Sequence, residues 1–274
     1  MADTTYEGKR VQVLDHGYVQ LVEHWGSDER IVEAARMSTG KGFLGWKAGP
    51  CPTCGGDGQS LHQVVPLIYE KRPCHDCGGK GTIAGDEKLL RHLWAHKHHT
   101  PFEMAGMVVE VQAPIFVFRE WMRHRTFSFN EMSGRYVPLP DVNYIPTVER
   151  LLLNRGTRNQ QAAAVKGSSE IDEGTAGWFR HNLEEMYRLQ EVLYQQALSN
   201  GVPKELARVH LGVGRYSRMR ASANLRNWLQ FLFLRMADDA QFEIRAFATE
   251  AGKMVEYLFP GTWALFQEGW QKGS

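Results

Sequence analysis

The sequence predicts an α+β protein. Two alternating apolar stretches, one near the start and one at 107–113, read as strands. Several longer stretches carry apolar residues at helical spacing. Between them, residues 40–85 follow neither period and are dense in glycine, with all four cysteines of the 274-residue chain.

The elements follow in order. Residues 11–26, VQVLDHGYVQLVEHWG, read as two short strands around a turn at Asp15-His16-Gly17. Ser27 suits an N-cap, with Asp28 and Glu29 in the first turn of a helix running to about Met37. Helical spacing returns in DEKLLRHLWAHKHH, through Leu89, Leu90, Leu93 and Trp94, and Thr100-Pro101 ends that run. Residues 107–113 alternate as a strand, and Pro114 opens a helix, PIFVFREWMRH. The polar stretch 123–136 reads as a loop. Residues 154–177 are polar, glycine-bearing and poor in large apolar side chains, which predicts a mobile loop. Phe179, Leu183, Met186, Leu193 and Ala197 mark a long amphipathic helix that stops at Gly201, and Pro203 opens another. Residues 223–259 read as largely helical.

Basic and acidic residues nearly cancel, 32 against 31, for a net charge of +1. A dedicated duplex-DNA binder usually carries a marked basic excess, because phosphate neutralisation drives its affinity. No apolar run approaches the roughly 18 residues of a membrane span, and the opening MADTTYEGKR lacks the apolar core of a signal peptide. The expectation is a cytoplasmic protein with no membrane and no nucleic acid as partner. In a reducing compartment, paired cysteines point to metal ligation before disulfides.

The cysteines stand as Cys51-x2-Cys54-x19-Cys74-x2-Cys77, a spacing suited to a four-thiolate zinc site. A redox dithiol and unligated thiols are the rival readings. The glycines after each pair have a use: short Cys-x-x-Cys turns aim backbone N–H groups at sulfur, and the chain must then turn sharply. CPTCGGDG and CHDCGGKG resemble the knuckles of the DnaJ chaperone zinc domain, with two half-motifs only, a likeness of about forty residues that implies no activity.

The stretch 123–136, RHRTFSFNEMSGRY, concentrates three arginines, a histidine and a glutamate. Guanidinium forks beside Ser-Gly backbone donors suit an anionic phosphate ligand. Arg-His-Arg, seven residues, then Ser resembles the signature of flavin-dependent thymidylate synthases, as do the following Gly134-Arg135-Tyr136. HKHHTPFE, APIFVFREWMRHR, GVPKELAR and NLRNWLQFLFLR are similar to further segments of that family. The likeness covers nearly the whole chain, apart from residues 40–85 and 154–177.

The resemblance implies one domain over 1–274 with an antiparallel sheet flanked by long helices; residues 41–85 stand outside the likeness and, with their cysteine spacing, read as a small zinc-ribbon-like insertion within it. It implies a homotetramer with active sites shared between subunits. It also implies reductive methylation of dUMP to dTMP, with methylenetetrahydrofolate as carbon donor and NADPH as reductant through FAD. Arg235 then polarises the pyrimidine. Ser133, Gly134, Arg135 and Arg208 hold the nucleotide, with Glu120, Arg123, Glu131 and Met132 nearby. FAD falls to Ser38, Thr100, Glu103, Arg123, His124, Arg125, Thr126, Glu131, Asn224, Arg226 and Gln230, with His98 at the flavin–folate face. Arg226 and Gln230 are i and i+4, hence on one helix face. The unrelated thymidylate synthases attack C6 with a cysteine thiolate; here every cysteine sits in a paired knuckle.

Glu120 stands where the family commonly has glutamine, and a carboxylate there repels phosphate unless an arginine pairs it. Gln230 replaces a common asparagine, Asp239 falls where some members carry histidine, and His99 occupies a variable position. Two alternatives of other kinds are a zinc-ribbon nucleic-acid-binding protein and a flavoprotein of the same fold acting on another nucleotide.

Overall fold

The computed structural model describes residues 6–153 and 171–271. Along the chain run β1 (Arg10–Val13), β2 (Gly17–Trp25), α1 (Asp28–Arg36), β3 (Gly49–Pro50), β4 (Gln59–Val65), β5 (Ile68–Pro73), β6 (Thr82–Ile83) and α2 (Asp86–Ala95). Then follow β7 (Gly106–Pro114), α3 (Ile115–Trp121), β8 (Ser128–Glu131), α4 (Val148–Leu151), α5 (Glu173–Ser199), α6 (Lys204–Ala207), β9 (Tyr216–Asn224), α7 (Leu225–Arg235), α8 (Phe242–Leu258) and α9 (Pro260–Gln271). Short 3₁₀ turns occupy Met37–Thr39 and Thr100–Met104. These residues form two compact units.

The first unit holds the described residues of Met1–His24, Met107–Ala223 and Asn227–Met254. Its centre is a five-stranded sheet in the order β1-β2-β7-β9-β8, with β1/β2 and β8/β9 antiparallel. β7 is a strand because Met107, Val109, Val111 and Ala113 alternate inward while Val108, Glu110 and Gln112 turn outward. Two contacts bind helices to this sheet. Trp228 Nε1 of α7 donates to the Met107 carbonyl at 3.0 Å, and a Cβ added at Gly17 would meet the Phe247 ring of α8 at 2.7 Å. Trp121, Phe127, Trp228 and Phe231 form an aromatic cluster, with Trp121 stacked on Phe231 at 4.7 Å. α5 is anchored by the buried Arg215, which donates to Glu191 at 2.6 Å and to Asp141 at 3.1 Å.

Three expectations change here. The stretch 123–136 is not all loop, since Ser128–Glu131 pairs with β9 from Ser128↔Ser222 to Glu131↔Met219. β9 itself was not expected. Its alternation is carried by Ser217, Met219 and Ala221 inward and Arg218 and Arg220 outward, with no β-branched or aromatic residue among them to announce a strand. The expected mobile loop at 154–177 is helical from Glu173, where Asp172 caps α5 by accepting from Thr175 N at 2.7 Å. Its remainder through 170 lies outside the described residues.

The second unit holds Trp25–Gly106, Asn224–Arg226 and the described residues of Val255–Ser274. Ser27 caps α1 as expected, accepting from Arg30 N. Asp28 is buried and accepts from the N–H groups of Gly261 and Thr262 at 2.7 and 3.1 Å, closing the start of α9. Asp86 is fully buried at the start of α2, where it accepts from Arg36 Nε at 3.0 Å and Leu44 N at 2.6 Å. Buried acids persist when paired in this way. The cysteine-bearing segment is a ribbon within a ribbon: β3 pairs with β6 and β4 with β5, both antiparallel.

Candidate active site

In the first unit the site is built around Arg235, the last residue of α7. Its side chain is 18% exposed and gripped on three sides. Nε donates to His124 Nε2 at 2.9 Å, Nη1 to Glu120 Oε2 at 2.9 Å, and Nη2 to the Glu120 carbonyl at 3.1 Å. A guanidinium has five N–H donors, so two remain for a ligand. His124 lies edge-on to Phe231, 4.9 Å between ring centroids. Burial, helped by the Arg235 charge, lowers its pKa from 6.5 to about 4. The imidazole is therefore neutral at neutral pH, with its proton on Nδ1, since Nε2 accepts from Arg235. Glu120 thus meets the condition set by its departure from the family pattern: an arginine pairs it.

Arg123, Arg125 and Thr126 are exposed, and neither arginine has an ion pair or hydrogen-bonding partner for its guanidinium among the described residues. Two uncompensated cations on one short loop suit a diphosphate. β8 ends at Glu131, and Met132 accepts a weak hydrogen bond at sulfur from Arg218. Gly134 is buried, and a Cβ there would stand 3.0 Å from Arg208 Nη1 and 3.1 Å from Leu139. A side chain at this position would have to push the Arg208 and Leu139 side chains aside by a few tenths of an ångström. Ser133 Oγ accepts from Arg135 N at 3.3 Å, and Arg135 Nε is paired with Glu205 at 3.0 Å. That ion pair is solvent-exposed and therefore weak. Gln230 is exposed on α7, while Leu225, Trp228, Leu229 and Leu232 are buried as their spacing predicts.

In the second unit Glu103 accepts from Arg226 Nη1, which joins two of the expected flavin residues. Thr100 opens the 3₁₀ turn that carries Glu103. Ser38 is exposed, its hydroxyl donating to the Ala35 carbonyl at 3.2 Å. Asn224 joins β9 to α7. His98 is exposed just beyond α2, and His99, half-buried, has its pKa lowered by burial and by the charge of Arg226. Sequence reasoning passed over His92, which stands beside His96 and His98. Its signal was the spacing His-x3-His-x-His.

The four thiols, also in the second unit, come together. Their sulfurs all lie within 4.8 Å of one another, and among the described residues no other group of three or more His, Cys, Asp or Glu is so gathered. Cys51 and Cys74 stand 3.9 Å apart at sulfur, and Cys54 and Cys77 3.8 Å. A tetrahedral ion with bonds of about 2.3 Å needs sulfur edges of about 3.8 Å. The two half-motifs exchange bonds: Cys51 N donates to the Gly81 carbonyl and Cys74 N to the Gly58 carbonyl, both at 2.8 Å. Gly58 N and Gly81 N donate to Cys54 and Cys77 sulfur, both at 3.3 Å. These glycines sit at φ +78° and +71°, and a Cβ would approach a carbonyl oxygen to 2.4 and 2.2 Å, so no other residue fits. At Cys51, burial works against ionisation but backbone N–H groups outweigh it and bring the thiol down to about 7; burial lifts Cys54 to about 11. The cluster can hold a metal ion.

Residues 20–261 match the family described as Thymidylate synthase complementing protein. The chain is 34% identical over 260 residues to a flavin-dependent thymidylate synthase of Anaplasma marginale, covering 95% of this chain and 75% of that one. It is 33% identical over 264 residues to one of Thermus thermophilus, covering 96% and 80%. It also resembles the crystal structure of a UMP/dUMP methylase, PolB of Streptomyces cacaoi, bound with 5-Br UMP. There the TM-score is 0.68 at 27% identity, over 93% of this chain and 96% of that one. The same enzyme bound with 5-Br dUMP gives 0.67 at 29%.

Proposed function

The chain belongs to the flavin-dependent thymidylate synthase family, and on that premise we propose that it makes dTMP from dUMP by reductive methylation. One methylenetetrahydrofolate gives the carbon, and one NADPH with a proton gives the reducing equivalents. The products are dTMP, tetrahydrofolate and NADP⁺. FAD, when bound, supplies the redox chemistry between NADPH and the one-carbon unit.

The observation that carries this reading is Arg235, fixed on three sides with two donors to spare. Those donors suit the N3–O4 edge of uracil. A charge held there in advance stabilises the negative charge drawn onto the ring as C5 becomes nucleophilic. No thiol is needed, which agrees with all four cysteines lying in one cluster. Neutral His124 leaves the positive charge on the guanidinium. Ser133, Gly134, Arg135 and Arg208 take the nucleotide phosphate, Arg135 exchanging its exposed partner Glu205 for it. The remaining flavin contacts fall to Ser38, His98, Thr100, Glu103, Arg123, His124, Arg125, Thr126, Glu131, Asn224, Arg226 and Gln230.

Three finer proposals accompany this one. Zinc fills the four-thiolate cluster as a structural clip, and 41–85 is an insertion within the enzyme domain. The chain assembles as a homotetramer with shared active sites. Supporting this, Phe179, Met186 and Leu193 recur every seven residues on α5, exposed with Leu189 and Val192 beside them, along about 21 Å of helix. No helix among the described residues is long and apolar enough to cross a membrane, and thiols placed for metal rather than disulfides suit the cytoplasm.

One spectrum tests the core of the proposal. Purified protein should absorb in the blue as oxidised flavin, bleach with NADPH, and release dTMP when dUMP and methylenetetrahydrofolate are added. Protein that never binds FAD overturns it. A second reading, the same chemistry on UMP, is favoured by the likeness to a UMP/dUMP methylase bound with 5-Br UMP; initial rates with dUMP, UMP and dCMP decide. Retention on DNA at low salt by colourless protein would instead favour a nucleic-acid binder.

A further inference from the structure

α2 ends in a cap that gathers three histidines. Lys97 takes φ +57°, a left-handed conformation usually left to glycine, its N–H bonding the Trp94 carbonyl at 3.1 Å. His98 N–H then reaches back to the Leu93 carbonyl at 2.9 Å. This pair of bonds is a Schellman cap, and it folds His98 back over the last turn of the helix. There it meets His92 and His96, which are i and i+4 on the exposed face. Ring centroids are 4.0 Å apart for His92–His96, 5.8 Å for His92–His98 and 6.1 Å for His96–His98. All three rings are exposed. His96 Nδ1 lies 2.9 Å from the His92 carbonyl and donates to it, which leaves Nε2 as the ligand nitrogen. A backbone carbonyl behind the imidazole is the usual outer support of a metal-bound histidine.

We propose that His92, His96 and His98 form a second metal site, separate from the cysteine cluster, for a divalent late-transition ion. Imidazole alone selects nickel, copper or zinc over magnesium and calcium, which need oxygen. The sulfurs of the cysteine cluster are already gathered, whereas the imidazoles close by rotation of exposed rings. The site is therefore the weaker of the two and gives up its ion to a chelator. An ion held there ties up His98. Occupancy accordingly stops turnover, a consequence that rests on His98 serving the flavin–folate face; the binding itself does not.

The test uses holoenzyme with zinc in its cysteine cluster, titrated with Ni²⁺ in a calorimeter. Wild type should take up one Ni²⁺ per chain with its zinc content unchanged. His92→Ala should bind at least about tenfold more weakly, since even the loss of an outer partner costs that much. dTMP formation by wild type should fall as Ni²⁺ is added and return with EDTA. His92→Ala, outside the catalytic machinery, should match the wild-type rate without nickel and resist it when present. Equal Ni²⁺ affinity in the two proteins, or uptake matched by zinc release, overturns the site. Binding lost in His92→Ala while wild-type turnover ignores nickel overturns the inhibition alone. A wild type that makes no dTMP at all condemns the assigned reaction instead, and the calorimetry still decides the site.

Discussion

Replacing Arg235 by lysine keeps the positive charge, so the usual expectation is a mild effect. The geometry gives a different answer. His124, the Glu120 carboxylate and the Glu120 carbonyl each take one donor from residue 235. A guanidinium brings five and leaves two for the pyrimidine; an ammonium brings three and, held in the same way, leaves none. Arg235→Lys should therefore lose catalysis almost as fully as Arg235→Ala. Removing one preorganised donor to developing charge costs about 10²–10³ in kcat, or about 2.7–4 kcal/mol. Folding should survive even in Arg235→Ala, because the Glu120 side chain it abandons is 35% exposed and water can solvate it. FAD binding and NADPH oxidation should stay largely intact in both variants. The assay is single-turnover formation of dTMP from labelled dUMP, beside flavin absorbance. A lysine variant that makes dTMP near the wild-type rate would show that the donor count does not govern the step, and normal output from Arg235→Ala would show that the residue is wrong.

Further expectations concern stability and metal. His124 titrates near 4 when folded against 6.5 ordinarily, so the unfolded chain holds its proton more readily between those values. Its contribution is intact above pH 6.5 and is lost as pH falls toward 4; His124→Gln should flatten that part of a denaturant-midpoint profile, and parallel profiles would refute the assignment. Asp28→Ala leaves Gly261 N–H and Thr262 N–H unpaired at the start of α9, which should lower stability by about 2–4 kcal/mol by chemical denaturation; an unchanged midpoint would rule out that role. Cys51→Ser with Cys54→Ser should abolish a zinc content of about one per chain by elemental analysis and weaken flavin retention. dTMP formation by that variant should persist with FAD in large excess, and complete inactivity of folded, FAD-saturated protein would put the cluster inside the chemistry.

The parts legible in the sequence are those whose cause is local. Ser27 announces α1 because an N-cap acts within three residues, and the cysteine spacing announces a thiolate cluster because sulfur geometry is set by short turns. β9 was hidden because its outward positions are arginines and its inward ones, Ser217, Met219 and Ala221, are neither β-branched nor aromatic, so propensity does not mark the period of two. Glu120 could be flagged from its departure, but its partner could not be named, since 115 residues separate it from Arg235 and only the tertiary fold joins them. The grouping of His92 with His98 was hidden in another way: it depends on a left-handed lysine, a conformation that residue type does not predict.

The two-residue ladder of β3 and β6 sets Gly49 opposite Ile83 and Pro50 opposite Thr82, so the chain leaves for the cysteine cluster and returns at one point. Opposed residues of such a pair stand only about 5 Å apart. Topologically the segment is a side branch, and a short turn could replace residues 51–81 without re-threading any strand of the five-stranded sheet. Closure entropy barely resists such edits, since doubling a loop costs only about 0.6 kcal/mol. The four cysteines all fall within residues 51–77, so the branch can close during synthesis before most of the enzyme has left the ribosome. Such a segment can be gained, trimmed or exchanged between chains as a unit, because Arg235 and its partners Glu120 and His124 all lie outside it in sequence.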